Sequence, residues 1–185
     1  MSKYQRQSKG KEIRPTFFVF CEGESEEAYI SFIRNKYRVP IQIRSKVAKN
    51  KINQKYVTRI LKPFQKQEKD KYFLLYDLDV PEMLEKLQSI NDTILLVSDP
   101  CIELWYILHT CNHSGEATSA QCITQLEGIC KGYRKGTICD KLKQELISGE
   151  ENACKWAKKL ALRNNFDNPS TSVYILIDEL KKVTT

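Results

Sequence analysis

Apolar residues fall along this chain in two rhythms, and their alternation predicts the fold. Thr16-Phe17-Phe18-Val19-Phe20-Cys21 is an unbroken apolar run rich in aromatic and β-branched residues, the pattern of a strand buried on both faces in a parallel sheet. The turn Glu22-Gly23-Glu24-Ser25-Glu26 follows, after which Ala28, Tyr29, Phe32 and Ile33 keep helical spacing over residues 27–36. Ser25 is placed to cap this helix, and the acidic residues of its first turn agree with the helix dipole. The unit then repeats. Pro40 introduces a strand over 41–47, and Tyr56, Val57, Ile60, Leu61 and Phe64 mark a second helix. Tyr72 to Tyr76 form a third buried strand ending in Asp77-Leu78-Asp79, Pro81 opens a helix through Leu87, and Thr93 to Val97 form a fourth strand ending in Ser98-Asp99-Pro100. This alternation predicts an α/β fold: a four-stranded, mainly parallel sheet flanked by helices, with right-handed crossovers.

Past residue 100 the pattern becomes helical. Ile102, Leu104, Trp105, Ile107 and Leu108 predict an apolar helix directly after the fourth strand. Residues 115–165 read as helices broken near Gly132–Gly136 and Ser148–Glu150, and Asn168-Pro169-Ser170-Thr171 stops the chain and caps a last helix over 173–183. The expected organisation is a basic arm (1–14), an α/β core (15–110) and a helical extension (111–185) packed on the core as one unit. A length of 185 residues suits a single well-buried domain.

The carboxylates change the picture from fold to chemistry. In open parallel sheets, ligands bind beyond the carboxyl ends of the strands. Glu22 follows the first strand, Asp77 and Asp79 the third, and Asp99 the fourth, so all are expected on one rim. Carboxylates crowded there repel and lose hydration, which calls for shared protons or a hard cation such as Mg²⁺ or Mn²⁺. Taken singly, each could merely cap a helix or close a turn; together they favour a cation site. Glu24 and Glu26 share the first loop; Glu26 can reach inward, and Glu24 is expected to face solvent.

Charge adds a partner. With 30 Lys and Arg against 23 Asp and Glu, the net charge is +7, and the positive residues concentrate in 3–14 and 34–71, whereas 77–103 is net acidic. An acidic pocket within a basic protein suits a metal-dependent nuclease: basic flanks attract phosphate. Lys46, Lys49, Lys51, Lys55 and Arg134 are the candidate nucleic-acid contacts; a solvated basic surface is the plainer alternative. The seven cysteines form no C-x-x-C pair and read as free thiols. His109-Thr-Cys111-Asn-His113 has the residue types but not the second ligand pair of a zinc site. No apolar run approaches the roughly 20 residues of a membrane span, and the basic, polar N-terminus lacks a secretory apolar segment, so the protein is expected to be cytoplasmic and to make no membrane contact.

The order strand–Glu-Gly, then strand–Asp-x-Asp, resembles the Toprim domain of topoisomerases, primases and overcoming-lysogeny-type nucleases. More narrowly, the stretch Cys21 to Tyr29, then Tyr76-Asp77-Leu78-Asp79, then Asp99-Pro100-Cys101-Ile102-Glu103-Leu104-Trp105 through His109, and later Asn168 to Val173, resembles the RloB-like family of bacterial proteins. The likeness covers nearly all of 15–183, and the Asp-Pro-Cys-x-Glu-Leu-Trp block is its most specific part. It implies a Toprim-like site in which Glu22 is ligand or general base, Asp77 and Asp79 bind metal, and Glu26 and Glu103 complete the ligand set. It further implies a basic residue near the scissile phosphate; the candidates are Lys135 and Lys141, with Lys135 expected to be the catalytic one. Association of the family with restriction and phage-defence loci implies a defence effector, with a partner ATPase or other defence subunit. The family usually has Asn where this chain has Asp99, an extra carboxylate that could bind metal or, as favoured here, cap the following helix. His109 and His113 are possible acid–base groups, although a helix-end histidine is more often structural.

The leading expectation is therefore a metal-dependent nuclease acting on DNA, RNA or tRNA. The alternative is a non-catalytic module that grips nucleic acid or a partner. A nucleotidyltransferase or phosphatase on the same rim comes third; no Walker-type phosphate loop is present, which disfavours a nucleotide triphosphatase.

Overall fold

Two apolar cores, one on each face of a single sheet, determine where every rim residue stands. A computed structural model describes residues 15–37, 42–164 and 166–184; the basic arm expected over 1–14 lies outside them. In chain order the elements are β1 (Thr16–Cys21), α1 (Glu24–Lys36), β2 (Gln42–Val47), a single 3-10 turn at Lys49–Lys51, α2 (Gln54–Leu61), β3 (Lys71–Asp77), α3 (Met83–Gln88), β4 (Ile94–Asp99), α4 (Ile102–Ile107), α5 (Ser119–Ile129), α6 (Asp140–Ser148), α7 (Glu150–Asn164), β5 (Ser170–Thr171) and α8 (Tyr174–Thr184).

The sheet order is β2-β1-β3-β4-β5. The first four strands are parallel, as the unbroken apolar runs predict, and β5 adds a two-residue antiparallel edge against β4. Because side chains alternate along a strand, β1 feeds both cores. Phe17, Val19 and Cys21 join the larger core with α1, α4 and the C-terminal helices. Phe18 and Phe20 join the smaller one under α2 and α3, with Ile52, Val57, Met83 and Leu87. Full burial of such a side chain stabilises by roughly 1.5–3 kcal/mol, so the strand is pinned on both faces and its register cannot slip. Trp105, fully buried, anchors α4 beneath the rim and meets Tyr29 edge-on at 6.5 Å. Among the described residues no helix is long and apolar enough to cross a membrane.

Three local expectations need correcting. Ser25 does not cap α1; the helix starts at Glu24 with Gly23 at its cap, and Glu26 Oε2 accepts from the Gly23 amide at 2.8 Å, a longer side chain reaching back to an otherwise orphaned donor. Residues 168–171 do more than stop the chain: Ser170 and Thr171 pair with β4, and the Thr171 and Ser98 hydroxyls lie 2.8 Å apart. Asp99 caps nothing. Its Oδ1 accepts from Asn168 Nδ2 at 2.9 Å, and the amide of Ile102 at the start of α4 instead donates to Asp77 Oδ1 at 2.8 Å.

Candidate functional site

Parallel pairing brings the ends of β1, β3 and β4 level, with Cys21 opposite Leu75 and Asp77 opposite Ser98. The residues that follow β1 and the residue that ends β3 must then meet above the sheet. They do: Glu22 Oε2 accepts from the Asp77 amide at 2.9 Å, and the Glu22 amide donates to the Leu75 carbonyl at 3.0 Å. Glu26 comes in from the first turn of α1, and Glu103 from the first turn of α4.

Burial and mutual charge mark these groups as one electrostatic unit. Burial pushes the Asp77 carboxyl well above its ordinary range, and the charges of Glu26, Glu22 and Glu103 push it further. Burial likewise raises Glu22, with Asp79 adding to the rise while the Asp77 amide and Lys135 oppose it. Glu26 is raised by burial above all, against the backbone amides that hold it, with Glu22 and Glu103 contributing. Repulsion among buried carboxylates is relieved by a proton or by a cation.

Glu103 is the most telling member. It is wholly buried; Oε1 accepts from the Tyr133 hydroxyl at 2.7 Å, and Oε2 is buried with no hydrogen-bond partner. A buried carboxylate oxygen left unpaired is costly, which makes it a fit for a hard cation. Tyr133 belongs to the loop between α5 and α6, and that loop is latched to the rim. The Gly136 amide donates to Ser25 Oγ at 2.9 Å, and Gly136 adopts φ +82° against Glu24, where a Cβ would stand 3.5 Å from Glu24 Cβ. The latch carries Lys135 to the cluster. Partial burial would lower this lysine, but the charges of Glu103, Asp77 and Glu26 outweigh it and raise the group, so its ammonium persists.

The structure thus brings Glu22, Glu26, Asp77, Glu103 and Lys135 together. Asp79 stands further out, exposed in the turn after β3, yet close enough to act on Glu22 and Asp99. Lys141, the rival of Lys135, pairs with Glu145 at 2.6 Å on the surface of α6. Lys46, Lys49, Lys51 and Lys55 are exposed along β2, the 3-10 turn and α2, and Arg134 is exposed on the latched loop. Among the described residues no three Asp, Glu, His or Cys side chains already form a group able to hold a metal ion. Glu22, Glu26, Asp77 and Glu103 each have one oxygen engaged by a donor of the chain.

His109 turns inward: its Nδ1 lies 2.8 Å from the Trp105 carbonyl oxygen, and burial lowers it to about 4, which makes it a neutral core group. All seven cysteines are free thiols. Sequence reasoning missed Tyr133 and the Ser25 hydroxyl as parts of the site. The one signal for Tyr133 was a loop flanked by Gly132 and Gly136, which marks a turn and not a chemistry.

Compared with known proteins, residues 17–180 match the family model described as RloB-like protein. No match was found among curated proteins or among solved structures.

Proposed function

This chain belongs to the RloB-like protein family, and from that premise we propose that its acidic rim is the active centre of a divalent-metal-dependent phosphodiesterase that cuts nucleic acid. The observation that carries the reading is the convergence of Glu22, Glu26, Asp77, Glu103 and Lys135 in one electrostatic cluster beyond the sheet. The Glu-then-Asp-x-Asp order along the parallel strands is why we read the rim as Toprim-like. A role as a defence effector working with an ATPase or another subunit is part of the same proposal.

Glu22, Asp77 and Glu103 would hold Mg²⁺ or Mn²⁺, with Glu26 and Asp79 next in reach; such an ion, when bound, polarises a phosphate and makes bound water acidic. The chain's own groups do the rest. Glu22, half-buried at the rim with one oxygen on the Asp77 amide, would take the proton of the attacking water where it does not itself hold the ion. Lys135 keeps its proton and would offer it to the phosphate or the leaving oxygen. Tyr133 holds Glu103, and the Asp77 carboxylate tethers α4 to β3 through the Ile102 amide. The exposed lysines of β2 and the 3-10 turn would draw the phosphate backbone toward the rim.

One observation favours a second reading, a module that binds nucleic acid without cutting it: among the described residues no three acidic side chains stand together as a ready set of metal ligands. A single set of assays separates the two. Purified protein is incubated with Mg²⁺ or Mn²⁺ and labelled single-stranded DNA, duplex DNA, RNA or tRNA, beside Glu22→Gln and Asp77→Asn. Cleavage by the wild type, lowered at least about a hundredfold in both variants, supports the nuclease. Absence of cleavage on every substrate, with unaltered binding by the variants in EDTA, establishes the module instead.

A further inference from the structure

The outer edge of the sheet carries a surface that the acidic rim does not account for. Between Glu27 and Glu68 the chain has no Asp or Glu at all. Within that stretch β2 is the edge strand, and its residues sort by face. Ile43 and Val47 turn toward the larger core, and Ser45 donates to Glu27 Oε1 on α1 at 3.2 Å. Arg44 and Lys46 stand opposite Phe18 and Phe20 of β1, so they share the α2 face of the sheet, and both are exposed. Two aromatic rings accompany them. Phe64, just after α2, packs on Phe18 at 5.8 Å yet remains 42% exposed, with the Arg44 guanidinium 4.8 Å from its centroid. Tyr56 meets Phe20 edge-on at 6.4 Å, and the Arg59 guanidinium lies 5.1 Å from its centroid.

This ledge runs to the rim. Where β2 ends, the Ala48 amide donates to the Cys21 carbonyl at 2.8 Å and the Lys49 amide to the Glu22 carbonyl at 3.2 Å. Exposed Lys49 and Lys51 therefore stand beside the loop that bears Glu22. From Arg44 and Phe64 through Lys46, Tyr56 and Arg59 to Lys49, positive charge alternates with aromatic or guanidinium planes and leads to the carboxylates.

We propose that this β2–α2 edge is the track for an unpaired nucleic-acid strand, laid so that its phosphates follow the lysines and its bases reach the rings, with the far end delivered to the acidic rim. The charge pattern fits a polyanion, and planar rings paired with arginine fit exposed base faces, which stacking inside a duplex hides. Among the described residues nothing on this edge projects as a duplex reader would: α2 is eight residues long and holds its apolar side against the sheet. The proposal names the substrate class for the rim and so rests on the phosphodiesterase reading, but binding is measurable without cleavage.

The experiment is fluorescence anisotropy in EDTA, with labelled single-stranded oligothymidine and oligouridine and a duplex of equal length, across a salt series. The wild type should bind the single strands at least about tenfold more tightly than the duplex. Lys46→Ala/Lys49→Ala/Lys51→Ala should weaken binding and flatten the salt dependence, by about 0.7 in slope for each phosphate no longer neutralised. Phe64→Ala should weaken single-strand binding by about five- to a hundredfold, the worth of one stacked base, with the salt slope unchanged. Thermal melts confirm that the variants fold, and if Phe64→Ala does not, Arg59→Ala, exposed beside the Tyr56 ring, should weaken single-strand binding with a slope change of no more than about 0.7. Equal or tighter duplex binding overturns the track, as does a triple-lysine variant with an unaltered slope. The rim reading fails on a different result, the absence of metal-dependent cleavage by a protein that binds normally.

Discussion

The Asp77 carboxylate accepts from the Ile102 amide and so ties α4 to the end of β3, while its charge sits among those of Glu26, Glu22 and Glu103. These roles pull in opposite directions, and the sign of the pH dependence follows. For Asp77, Glu22 and Glu26 the folded state raises the carboxyl above its ordinary value, 3.8 for the aspartate and 4.5 for the glutamates. The fold then favours the neutral form. Its contribution is fully present below those ordinary values and is lost as pH rises through the raised ones. In EDTA, stability should therefore fall from about pH 4 toward neutrality, by about 1.4 kcal/mol for every tenfold by which folding tightens a carboxyl's hold on its proton. Asp77→Asn keeps the Oδ1 acceptor and removes the charge. Thermal melts should show a higher Tm at neutral pH, by about 2–4 °C for each kcal/mol regained, a shallower pH profile, and no cleavage. A Tm below the wild type at every pH would mean that the carboxylate serves the fold alone. Glu22 and Asp77 were legible in the sequence because strand ends are marked by where apolar runs stop. The bond between Asp77 and the α4 amide was not legible, since 25 residues separate the partners and Asp99 stood nearer.

Among the elements, strands whose side chains are buried on both faces announced themselves, and β1 lies where the apolar run places it. The fifth strand did not, because two residues carry no periodicity and only the Ser98–Thr171 contact and β4 pairing define it. The loop between α5 and α6 was equally silent, although it holds the site together. Removing the Tyr133 hydroxyl leaves a wholly buried Glu103 with neither oxygen paired, at a cost of about 1–3 kcal/mol. Tyr133→Phe should accordingly melt several degrees lower by differential scanning fluorimetry. If Glu103 is a ligand, Mn²⁺ should recover more of the lost Tm in this variant than it adds to the wild type. Equal Mn²⁺ effects on Tm in both would confine Tyr133 to the fold. At Gly136, φ +82° is a conformation that a side chain adopts only with strain of about 1 kcal/mol. Gly136→Ala should loosen the latch on Ser25 and lower cleavage in the same direction as Lys135→Ala, because both remove the ammonium from the rim. An unaffected Gly136→Ala would show that the lysine is not positioned by this turn.

At the scale of the molecule, the expected division at residue 110 runs through a continuous interior. The larger core extends from Phe17 in β1 to Leu180 in α8 and includes Leu126, Leu142 and Leu160 from the C-terminal helices. Those helices and their connections supply Tyr133 and Lys135 to the rim and Ser170 and Thr171 to the sheet, so the acidic site is assembled across the whole chain. The seam can be tested at one atom. Gly149 closes α6 directly against the end of the α4 segment, where a Cβ would fall 1.8 Å from the His109 carbonyl oxygen. Its φ of −94° is open to any residue, so the sequence showed only a helix break, and contact with His109 is what demands glycine. Backbone atoms must shift to admit even a methyl group, and overpacking of this kind costs about 1–3 kcal/mol. Two independently folding parts would confine that cost to the helical extension and split the calorimetric transition. One cooperative unit would carry it throughout, so Gly149→Ala should lower a single transition by several degrees. Because the rim draws on both sides of the seam, the same substitution should lower cleavage and the Mn²⁺-induced Tm rise together, even though Gly149 touches none of the carboxylates.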